Sequence, residues 1–460
     1  MTRYRLDSST KVVGDGTTVL GGSPLRLFRL TDGGRGVLDR IAAGDSVEPS
    51  RLTDTMLEAG AIHPEIDPSE PHKFCVSDVT VVVPTHDDEP ARLYDILRHC
   101  TETAGVVFVD DGSSQPISGV RGATVVRLRH NAGPGSARNA GYRTVDTPLV
   151  AFVDSDVELH PGWLDGLLGH FDDEQVALVA PRVASGPAAP GADTGVARYE
   201  ERHSPLDLGS EPARISAGTR VSYVPAAALV VRVAALDAIG GFDATMRCGE
   251  DVDAVWRLCA AGWRCRYEPA VVVEHQPRRS WRALTEQRAA YGESAASLAA
   301  VHGMAVAPVR MSPWTLGVWG LVASGHPFAA LGVAGATAVA LISKLPGVPA
   351  GESVRLAGHG HLMAGQLLAT AVRRTWFPII GLAALGSRRA RRVAAISIVP
   401  ALLDGGPARV LDDASYGVGV WRGIVTKRTL KPIMPALTAW PIRPRRTATK
   451  PPWRLNAETK

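Results

Sequence analysis

Two carboxylates stand one residue apart at the end of a strongly apolar stretch, where residues 150–153 are followed by Asp154, Ser155 and Asp156. A short apolar run bounded by polar residues predicts a buried strand. Because successive strand side chains point to opposite faces, Asp154 and Asp156 would face the same way, at the strand end where open α/β sheets bind ligands. Two hard oxygen ligands on one side suit Mg²⁺ or Mn²⁺ bridging a diphosphate. The alternative is a solvated turn that caps a helix beginning near Pro161.

Two more predicted strands lie upstream. Residues 78–85 form an apolar run that ends at Pro84 and Thr85, and residues 106–109 form a second run that ends at Asp110 and Asp111. A helical pattern from Pro90 to about residue 101 separates them. The order strand, helix, strand predicts a right-handed parallel crossover. The acidic and hydroxyl groups after the second strand can hydrogen-bond a base or a ribose.

A glycine-rich segment, residues 131–141, leads into the next predicted helix. It reads Asn-Ala-Gly-Pro-Gly-Ser-Ala-Arg-Asn-Ala-Gly, with Arg138 near its end. Backbone amides at the start of a helix, together with an arginine, can approach a negatively charged phosphate closely. The segment therefore predicts a phosphate-binding loop.

Together, these motifs resemble the donor-binding half of family 2 glycosyltransferases of the GT-A fold. In that family the first strand ends in Pro-Thr, the second in Asp-Asp-Gly-Ser, the loop reads Asn-x-Gly-x-x-x-Ala-Arg-Asn-x-Gly, and the next strand ends in Asp-x-Asp; all four stand here in order. The resemblance covers about residues 76–300 and implies an α/β, Rossmann-like domain with a mostly parallel sheet. It also implies three groups of site residues: Asp154 and Asp156 for a divalent cation, Pro84 and Thr85 for a uracil pocket, and Asp110, Asp111, Arg138 and Asp154 for the nucleotide sugar.

A second acidic pair, Glu250 and Asp251, follows Gly249 and precedes apolar residues at helical spacing. In the resembled family this pair opens a helix beside the acceptor, and Asp251 matches the general base that takes the proton of the acceptor hydroxyl. A carboxylate also stabilises the oxocarbenium-like transition state. Attack opposite the leaving group implies inversion, so an α-linked sugar nucleotide would give a β-glycoside. Glu250 and Asp251 are therefore the candidate catalytic residues.

The segment after this helix carries a histidine and a short basic motif. Residues 271–275 predict a strand ending at His275, which the resembled family brings to the metal or the diphosphate; a surface histidine at a strand end is the alternative. Residues 276–281, Gln-Pro-Arg-Arg-Ser-Trp, resemble the Gln-x-x-Arg-Trp signature of processive synthases. That resemblance implies that Arg279 meets the diphosphate and Trp281 the acceptor sugar. A serine separates the two here, and this departure argues against processivity.

Residues 1–70 predict a small unit of their own. Short strand patterns at residues 4–6 and 17–20 precede a Gly21-Gly22 turn, and residues 25–30 form a further strand or short helix. Two helices follow, one capped near Thr31 and one over residues 50–59. The pattern resembles the winged-helix peptide-recognition domains of the PqqD type, which bind the leader of a precursor peptide as an added strand. The alternative is an N-terminal extension that packs on the transferase domain.

The combination of the two units resembles the glycosyltransferases of mycofactocin maturation, over nearly the whole chain. This resemblance implies transfer of glucose from UDP-glucose to build a short β-1,4-linked chain on mycofactocin, a peptide-derived redox cofactor, or on its precursor peptide or aglycone. The residues themselves indicate only a metal-dependent nucleotide-sugar transferase. No motif in the chain identifies the donor sugar, the base of the donor nucleotide or the number of sugars added.

The composition argues against several other classes of protein. The chain has 460 residues, a formal net charge of +4 and 6% aromatic residues, a balance without a nucleic-acid-binding signature. Its 5 cysteines lack a metal-binding spacing, which favours a reducing compartment and no disulfide framework. The N-terminus has no apolar signal segment, so we expect the catalytic domain in the cytoplasm.

Residues 301–425 are rich in alanine, glycine, valine, leucine, arginine and proline. Four apolar stretches, at residues 314–325, 328–342, 376–386 and 393–403, are each shorter than the roughly twenty residues needed to cross a bilayer. The first two together would be long enough if Pro327 only kinks a single helix. Flanking tryptophans and the arginines within residues 388–392 favour helices at the cytoplasmic face of the cell membrane. An ordinary helical domain packed on the transferase is the alternative. Residues 426–460 form a proline- and arginine-rich tail, which predicts a disordered or surface-draped segment.

Three functional hypotheses follow. The first is an inverting, metal-dependent glycosyltransferase of the mycofactocin system. The second is a membrane-associated family 2 transferase that uses the same donor chemistry on a polysaccharide or glycolipid acceptor. The third is a scaffold with an inactive transferase domain, which the complete set of acidic residues argues against.

Overall fold

The computed structural model describes residues 1–438 apart from positions 15, 89, 101, 118, 119 and 121. Residues 439–460, most of the predicted tail, lie outside the described part of the chain. Three units follow one another: an N-terminal α+β unit, a central α/β domain and a helical C-terminal region.

The N-terminal unit contains two small antiparallel sheets and two helices. In chain order its elements are β1 (Thr2–Leu6), β2 (Lys11–Val13), β3 (Thr18–Gly21), β4 (Arg26–Arg29), α1 (Asp32–Ala42), β5 (Ser46–Val47), α2 (Arg51–Ala59) and β6 (Ile62–Pro64). The sheets have the orders β5-β1-β6 and β2-β3-β4. Thr31 caps α1 by accepting a hydrogen bond from the Gly34 amide, and Ser50 and Thr53 form a capping box on α2. The helices and strands expected in this unit are present, and the segment at residues 25–30 contains the strand β4 (Arg26–Arg29).

The central domain alternates strands and helices. In chain order its elements are β7 (Val79–Thr85), α3 (Pro90–Arg98), β8 (Gly105–Asp110), β9 (Thr124–Arg127), α4 (Pro134–Tyr142), β10 (Leu149–Val153), β11 (Val157–Glu158), α5 (Asp165–Leu168), β12 (Val176–Ser185), α6 (Thr194–His203), β13 (Ala213–Arg214), β14 (Ala228–Arg232), α7 (Val233–Ile239), α8 (Glu250–Ala260), β15 (Arg264–His275) and α9 (Trp281–His302).

One large sheet organises this domain, with the strand order β11-β15-β12-β14-β10-β7-β8-β9 and β13 paired to β15. The strands β10, β7, β8 and β9 run parallel to one another, whereas β14 runs antiparallel to β10 and β12. The register places Thr85 beside Asp110 and Val82 beside Phe152. The carboxyl ends of β7, β8 and β10 therefore meet at one edge of the sheet, where open α/β sheets bind their ligands.

Apolar residues fill both faces of the sheet, because helices cover both sides. Val81, Val83 and Phe108 lie in one buried layer, and Val82 and Phe152 lie in the layer on the opposite face. All five residues of β10 are buried. The strand predicted before Asp154 is thus the continuous apolar strand expected in the middle of a covered parallel sheet.

The C-terminal region is helical, apart from one short strand pair. Its elements are β16 (Arg310–Met311), α10 (Pro313–Ala323), α11 (Pro327–Lys344), α12 (Ala350–Arg374), α13 (Phe377–Gly386), α14 (Arg388–Lys427) and β17 (Ala436–Leu437). The predicted apolar stretches form α10, α11, α13 and the start of α14, while α12 was not anticipated. Gly406 has a φ of 65° and breaks α14 into two helical segments. The pairing of β17 with β16 lays the beginning of the tail on the surface of this region.

Two helices are long and apolar enough to cross a membrane by length and composition, α11 and α14, with mean hydropathies of 1.5 and 1.3. Within the apolar window of each helix, only 6% and 11% of the residues are buried. An apolar helix in the core of a soluble protein is mostly buried, so these two helices differ from ordinary core helices in their exposure.

The N-terminal unit is joined to the central domain through Asp7. Its buried carboxylate accepts hydrogen bonds from His63 Nε2 and from Arg220 Nη2, both at 2.8 Å. Burial alone would raise the pKa of Asp7, but these donors hold it below its usual range. On β15, Arg264 reaches Asp54 of α2 at 3.0 Å. The two units thus share a buried polar contact and a second ion pair.

Candidate active site

A cleft of 830 Å³ opens at the carboxyl edge of the central sheet. It is lined by most of the residues that the motifs singled out: Pro84, Thr85, Asp111, Arg138, Asp154, Asp156, Glu250, Asp251 and His275. These residues come from the ends of separate strands and from the starts of α4 and α8. The fold therefore gathers them from segments that are far apart in the sequence.

Arg138 bridges two of the predicted acidic residues. Its Nη2 donates to Asp154 Oδ1 at 2.7 Å, and its Nη1 donates to Glu250 Oε1 at 2.6 Å. Arg138 is buried on α4, and burial alone would lower its pKa, but the charges of Asp154 and Glu250 outweigh that effect and raise the pKa. Arg138 therefore stays charged and fixes the spacing between the aspartate of β10 and the start of α8.

Asp156 pairs with His275 at the sheet edge. His275 Nε2 lies 3.0 Å from Asp156 Oδ2, because β11 and β15 run antiparallel with Val157 opposite His275. Burial would raise the pKa of Asp156, but the hydrogen bond from His275 and the nearby charge of Arg278 lower it. A carboxylate and an imidazole side by side are donors that first-row divalent metals accept.

The predicted trio of metal ligands is thus brought to one cleft, but its members are not equivalent. Asp154 Oδ1 is occupied by Arg138, while Asp156 and His275 face each other. Among the described residues, no group of three or more His, Cys, Asp and Glu side chains is arranged to hold a metal ion. Asp156 and His275 fit a divalent ion that takes its remaining ligands from a diphosphate and water, as Mg²⁺ and Mn²⁺ commonly do.

Asp251 lies half-buried in the cleft wall at the start of α8. Its Oδ1 accepts a hydrogen bond from the Val252 amide at 2.7 Å and its Oδ2 one from the Ala226 amide at 3.3 Å. Burial in the wall, reinforced by the charge of Glu250, raises the pKa of Asp251 to about 7. A carboxylate with this pKa is suited to accept a proton near neutral pH.

The paired aspartates after β8 have separate roles. Asp111 accepts hydrogen bonds from the amides of Ala132 and Gly133, at 2.7 and 2.8 Å, and so fixes the glycine-rich loop beside the cleft. Asp110 is fully buried and accepts from the amides of Ser113 and Ile117 and from Arg127. The structure therefore does not bring Asp110 to the cleft; its carboxylate holds the turn that follows the strand.

The end of β7 offers an unused polar group. The hydroxyl oxygen of Thr85 is buried, lines the cleft and has no hydrogen-bond partner within the described part of the chain. A buried hydroxyl without a partner is costly, so such a group is commonly satisfied by a bound ligand or water. Thr85 therefore fits the predicted nucleotide pocket.

Arg279, predicted to meet the diphosphate, and Trp281, predicted to meet the acceptor sugar, lie away from the cleft lining. Ser280 caps α9 by accepting a hydrogen bond from the Ala283 amide. Trp281 consequently starts the helix and packs against Tyr199, with ring centroids 5.8 Å apart. Arg279 is exposed, and the neighbouring Arg278 lines the cleft instead. The extra serine in the motif thus separates both residues from the positions that the signature implies.

Sequence reasoning missed several cleft residues, among them Arg278, Tyr223, Tyr291 and Tyr416. Arg278 stands next to the predicted Arg279, so the basic motif located it to within one residue. The three tyrosines come from three distant segments and share no motif, and no sequence signal connects them.

A larger cleft of 1380 Å³ lies elsewhere, between the N-terminal unit and the central domain. Its lining includes Arg3, Glu65, His72 and Arg266, and it contains none of the acidic residues of the sheet edge. The larger cavity is therefore not the one that holds the candidate chemistry.

Comparison with known proteins shows to which family the chain belongs. The family model "Glycosyl transferase family 2" matches residues 80–235. The pre-mycofactocin glycosyltransferase of Mycobacterium tuberculosis is 38% identical over 477 aligned positions, which cover 94% of this chain and 97% of the relative. The chain belongs to the family 2 glycosyltransferases of the mycofactocin system. The predicted GT-A fold class and the prediction of a transferase are thereby confirmed.

More distant similarities are confined to parts of the chain or to the outline of the fold. The succinoglycan biosynthesis protein ExoU of Rhizobium meliloti is 32% identical over 176 residues, 35% of this chain and 51% of that protein. The solved mannosyltransferase PcManGT from Pyrobaculum calidifontis, in complex with GDP-Man and Mn2+, is 17% identical, with a TM-score of 0.43 over 78% of this chain and 92% of its own. Neither similarity identifies the donor or the acceptor of this transferase.

Proposed function

We propose that the enzyme transfers glucose from UDP-glucose, with inversion, to build a β-1,4-linked oligosaccharide on mycofactocin or its peptide-derived precursor. The observation that carries the proposal is the shared cleft of Asp251, whose pKa is about 7, and the Asp156–His275 pair. A proton acceptor and a site for a diphosphate-bound cation in one cleft are what inverting transfer from a nucleotide sugar requires. The mycofactocin acceptor is supported by the near full-length similarity to the M. tuberculosis protein.

The proposed reaction is one displacement. Asp251 takes the proton of the acceptor hydroxyl as its oxygen bonds to the anomeric carbon, and the bond from that carbon to the diphosphate oxygen breaks on the opposite side. UDP leaves with the electron pair of that bond. Asp156 and His275, with Asp154 beside them, would hold Mg²⁺ or Mn²⁺, and the ion would supply positive charge that stabilises the departing diphosphate.

In the proposal, different residues contact the nucleotide and the diphosphate of the donor. The free hydroxyl of Thr85 and the loop held by Asp111 form the nucleotide side of the cleft. Because Arg138 is committed to Asp154 and Glu250, its role in the proposal is to position those carboxylates. Arg278 replaces Arg279 as the arginine nearest the diphosphate, since its charge acts on Asp156.

The N-terminal unit is proposed to bind the precursor peptide, as its resemblance to PqqD-type domains implies. The cleft of 1380 Å³ between this unit and the central domain supports the proposal, because residues of β1 and β6 line it. Fluorescence anisotropy with a labelled precursor peptide tests it. If the labelled peptide does not bind to the full-length protein, the N-terminal unit is an extension that only packs on the transferase domain.

We propose that the C-terminal helices contact the cytoplasmic face of the cell membrane. Phe328, Leu385 and Leu403 are 88%, 83% and 83% exposed, and the arginines at positions 388, 389, 391 and 392 lie between Leu385 and Leu403 in the sequence. Apolar side chains next to cations suit an anionic lipid surface. Co-flotation with phosphatidylglycerol vesicles, but not with phosphatidylcholine vesicles, is the expected result.

The same exposed surface favours one alternative, a family 2 transferase that acts on a polysaccharide or glycolipid acceptor. The deciding experiment incubates the purified protein with Mg²⁺ or Mn²⁺, a panel of sugar nucleotides and the mycofactocin precursor or its aglycone, and follows acceptor mass. Stepwise hexose additions from UDP-glucose support the proposed function. Donor hydrolysis without a change in acceptor mass would move the search to lipid-linked acceptors.

A further inference from the structure

The last long helix, α14, reaches the active-site cleft from well outside the family match at residues 80–235. Tyr416 of α14 lines the same cleft as Asp251. It is joined there by Tyr223, from the loop before β14, and by Tyr291 of α9. Three phenol side chains from three separate segments thus converge on the wall that holds the proposed base.

Glycines fix the position of Tyr416 by bringing α14 into backbone contact with α9. A Cβ atom on Gly292 of α9 would lie 1.9 Å from the carbonyl oxygen of Tyr416, and one on Gly419 would lie 1.8 Å from the carbonyl oxygen of Ala289. No side chain fits at either position. The backbone that carries Tyr416 therefore rests directly on α9, next to the turn that carries Tyr291.

A buried ionic network ties the same helix to the cleft. Arg288 of α9 is 1% exposed and donates to Asp412 of α14 at 3.1 Å and to Glu200 of α6 at 3.0 Å. The other oxygen of Glu200 accepts a hydrogen bond from the Arg278 amide at 2.6 Å. The placement of Tyr416 and that of Arg278 are thus coupled through a network of buried charged side chains.

The three phenols are neutral hydrogen-bonding groups. Burial, together with neighbouring charges that include Asp251, raises the pKa of Tyr223 to about 12, and burial also raises the pKa of Tyr291 above its usual value. The ring of Tyr416 packs under Arg374, 4.2 Å from its centroid. Within the described residues, none of the three hydroxyls hydrogen-bonds another protein group. Their hydrogen-bonding capacity is therefore free for a ligand.

We infer that Tyr223, Tyr291 and Tyr416 form the acceptor subsite, and that its ligand is a neutral sugar ring of the growing glucoside. Sugar rings present an apolar face, which packs on aromatic rings, and hydroxyls, which pair with phenols. A glucoside placed there has its hydroxyls beside Asp251 and leaves the nucleotide side, at Thr85 and Asp111, for the donor. This inference rests on the proposed function, since it assigns the acceptor of the same reaction.

The test measures binding and turnover separately. Isothermal titration of p-nitrophenyl β-cellobioside into full-length protein saturated with UDP and Mn²⁺ gives acceptor affinity without chemistry. The ratio of glucose transfer to UDP-glucose hydrolysis shows what fraction of the consumed donor reaches the acceptor. The variants are Tyr416→Ala and Tyr416→Phe, and Val418→Ala on the exposed side of α14 is the matched control.

Tyr416→Ala is expected to weaken cellobioside binding roughly tenfold or more and to shift turnover toward hydrolysis, because it removes both ring packing and a hydrogen bond. The affinity of Tyr416→Ala for UDP stays at the wild-type value. The cellobioside affinity of Tyr416→Phe lies between those of Tyr416→Ala and the wild type, and Val418→Ala behaves as the wild type. Unchanged cellobioside affinity in Tyr416→Ala, or a wild-type protein that binds no cellobioside, overturns the inference. Cellobioside binding without transfer from UDP-glucose instead overturns the proposed function alone.

Discussion

Arg138 and Glu250 form a buried ion pair, 2.6 Å between Nη1 and Oε1, across 112 residues of sequence. The pair connects α4, which follows the glycine-rich loop, with α8, which carries the proposed base. Since Arg138 also holds Asp154, the relative placement of donor and acceptor machinery depends on one guanidinium.

Replacing Arg138 with methionine leaves the carboxylates of Glu250 and Asp154 without their partner. Breaking a buried ion pair from one side typically costs about 3–5 kcal/mol, so we expect a large drop in the denaturation midpoint and loss of transfer. Urea unfolding of Arg138→Met measures this. The control is Arg282→Met, which removes an exposed pair with Glu286 and should leave stability almost unchanged. Equal stability of the two variants would contradict the structural role of Arg138.

Replacing Asp251 with asparagine removes the proton acceptor but keeps its shape. General-base residues typically contribute about 10²–10⁴-fold to the rate, so kcat should fall by that order. Binding of UDP should remain, because Asp251 does not hold the nucleotide in the proposal. Steady-state transfer and isothermal titration of UDP measure the two effects. A variant with wild-type kcat would exclude Asp251 as the base.

The pH profile follows from the pKa of about 7 for Asp251. The base acts only when it is deprotonated, so kcat/KM for the acceptor should rise about tenfold per pH unit below 7 and level off above it. Because burial raises this pKa above the unfolded value, the stabilising contribution of Asp251 is full at acid pH and is lost as the pH rises through 7. A flat transfer profile from pH 5 to 8, measured with donor saturating, would assign the proton to another group.

Asp156→Asn should abolish the part of UDP binding that depends on Mn²⁺ or Mg²⁺, and His275→Ala should weaken it, because these side chains are the proposed ligands. Titrations of UDP with each ion and with EDTA measure the difference. Asp172→Asn, a carboxylate of the other cleft, is the control and should bind as wild type. Metal-dependent binding that survives Asp156→Asn would move the cation to different residues.

The helix contact at Gly292 gives a prediction about packing. In Gly292→Ala the new methyl group overlaps the Tyr416 carbonyl, so α9 and α14 have to separate, at a cost of about 1–3 kcal/mol, and acceptor transfer should fall with stability. Gly335→Ala on α11 meets no atom within 4 Å and should be neutral or stabilising by up to about 1 kcal/mol. Thermal unfolding of both variants decides whether the contact is as close as described.

Much of the proposed donor side and of the N-terminal unit could be predicted from the sequence, because their signals are local. The strand before Asp154, the helix start at Glu250 and the capped helices near Thr31 and Ser50 each depend on neighbouring residues. The roles of Asp110 and Asp111 were harder to predict, because adjacent residues at a strand end point to opposite sides. Only the structure shows which of the two faces the cleft.

The acceptor side could not be predicted, because it depends on tertiary packing. The serine after Arg279 forms a helix cap, and that local choice turns Trp281 toward Tyr199 and leaves Arg278 in the cleft. Tyr223, Tyr291 and Tyr416 meet only because glycines let two helices touch. Such contacts have no signature in residue spacing.

The close contact between α14 and α9 sets a lower limit on how far this enzyme can be shortened. A chain cut after α9 would retain the sheet, the acidic residues and the proposed nucleotide pocket, yet it would lack Tyr416 and one of the two carboxylates that pair with Arg288. Such a truncated protein would resemble a complete family 2 domain by sequence while having an open wall where we infer that the sugar acceptor binds. In this proposal the catalytic unit extends about 180 residues past residue 235, the end of the family match, at least to Tyr416.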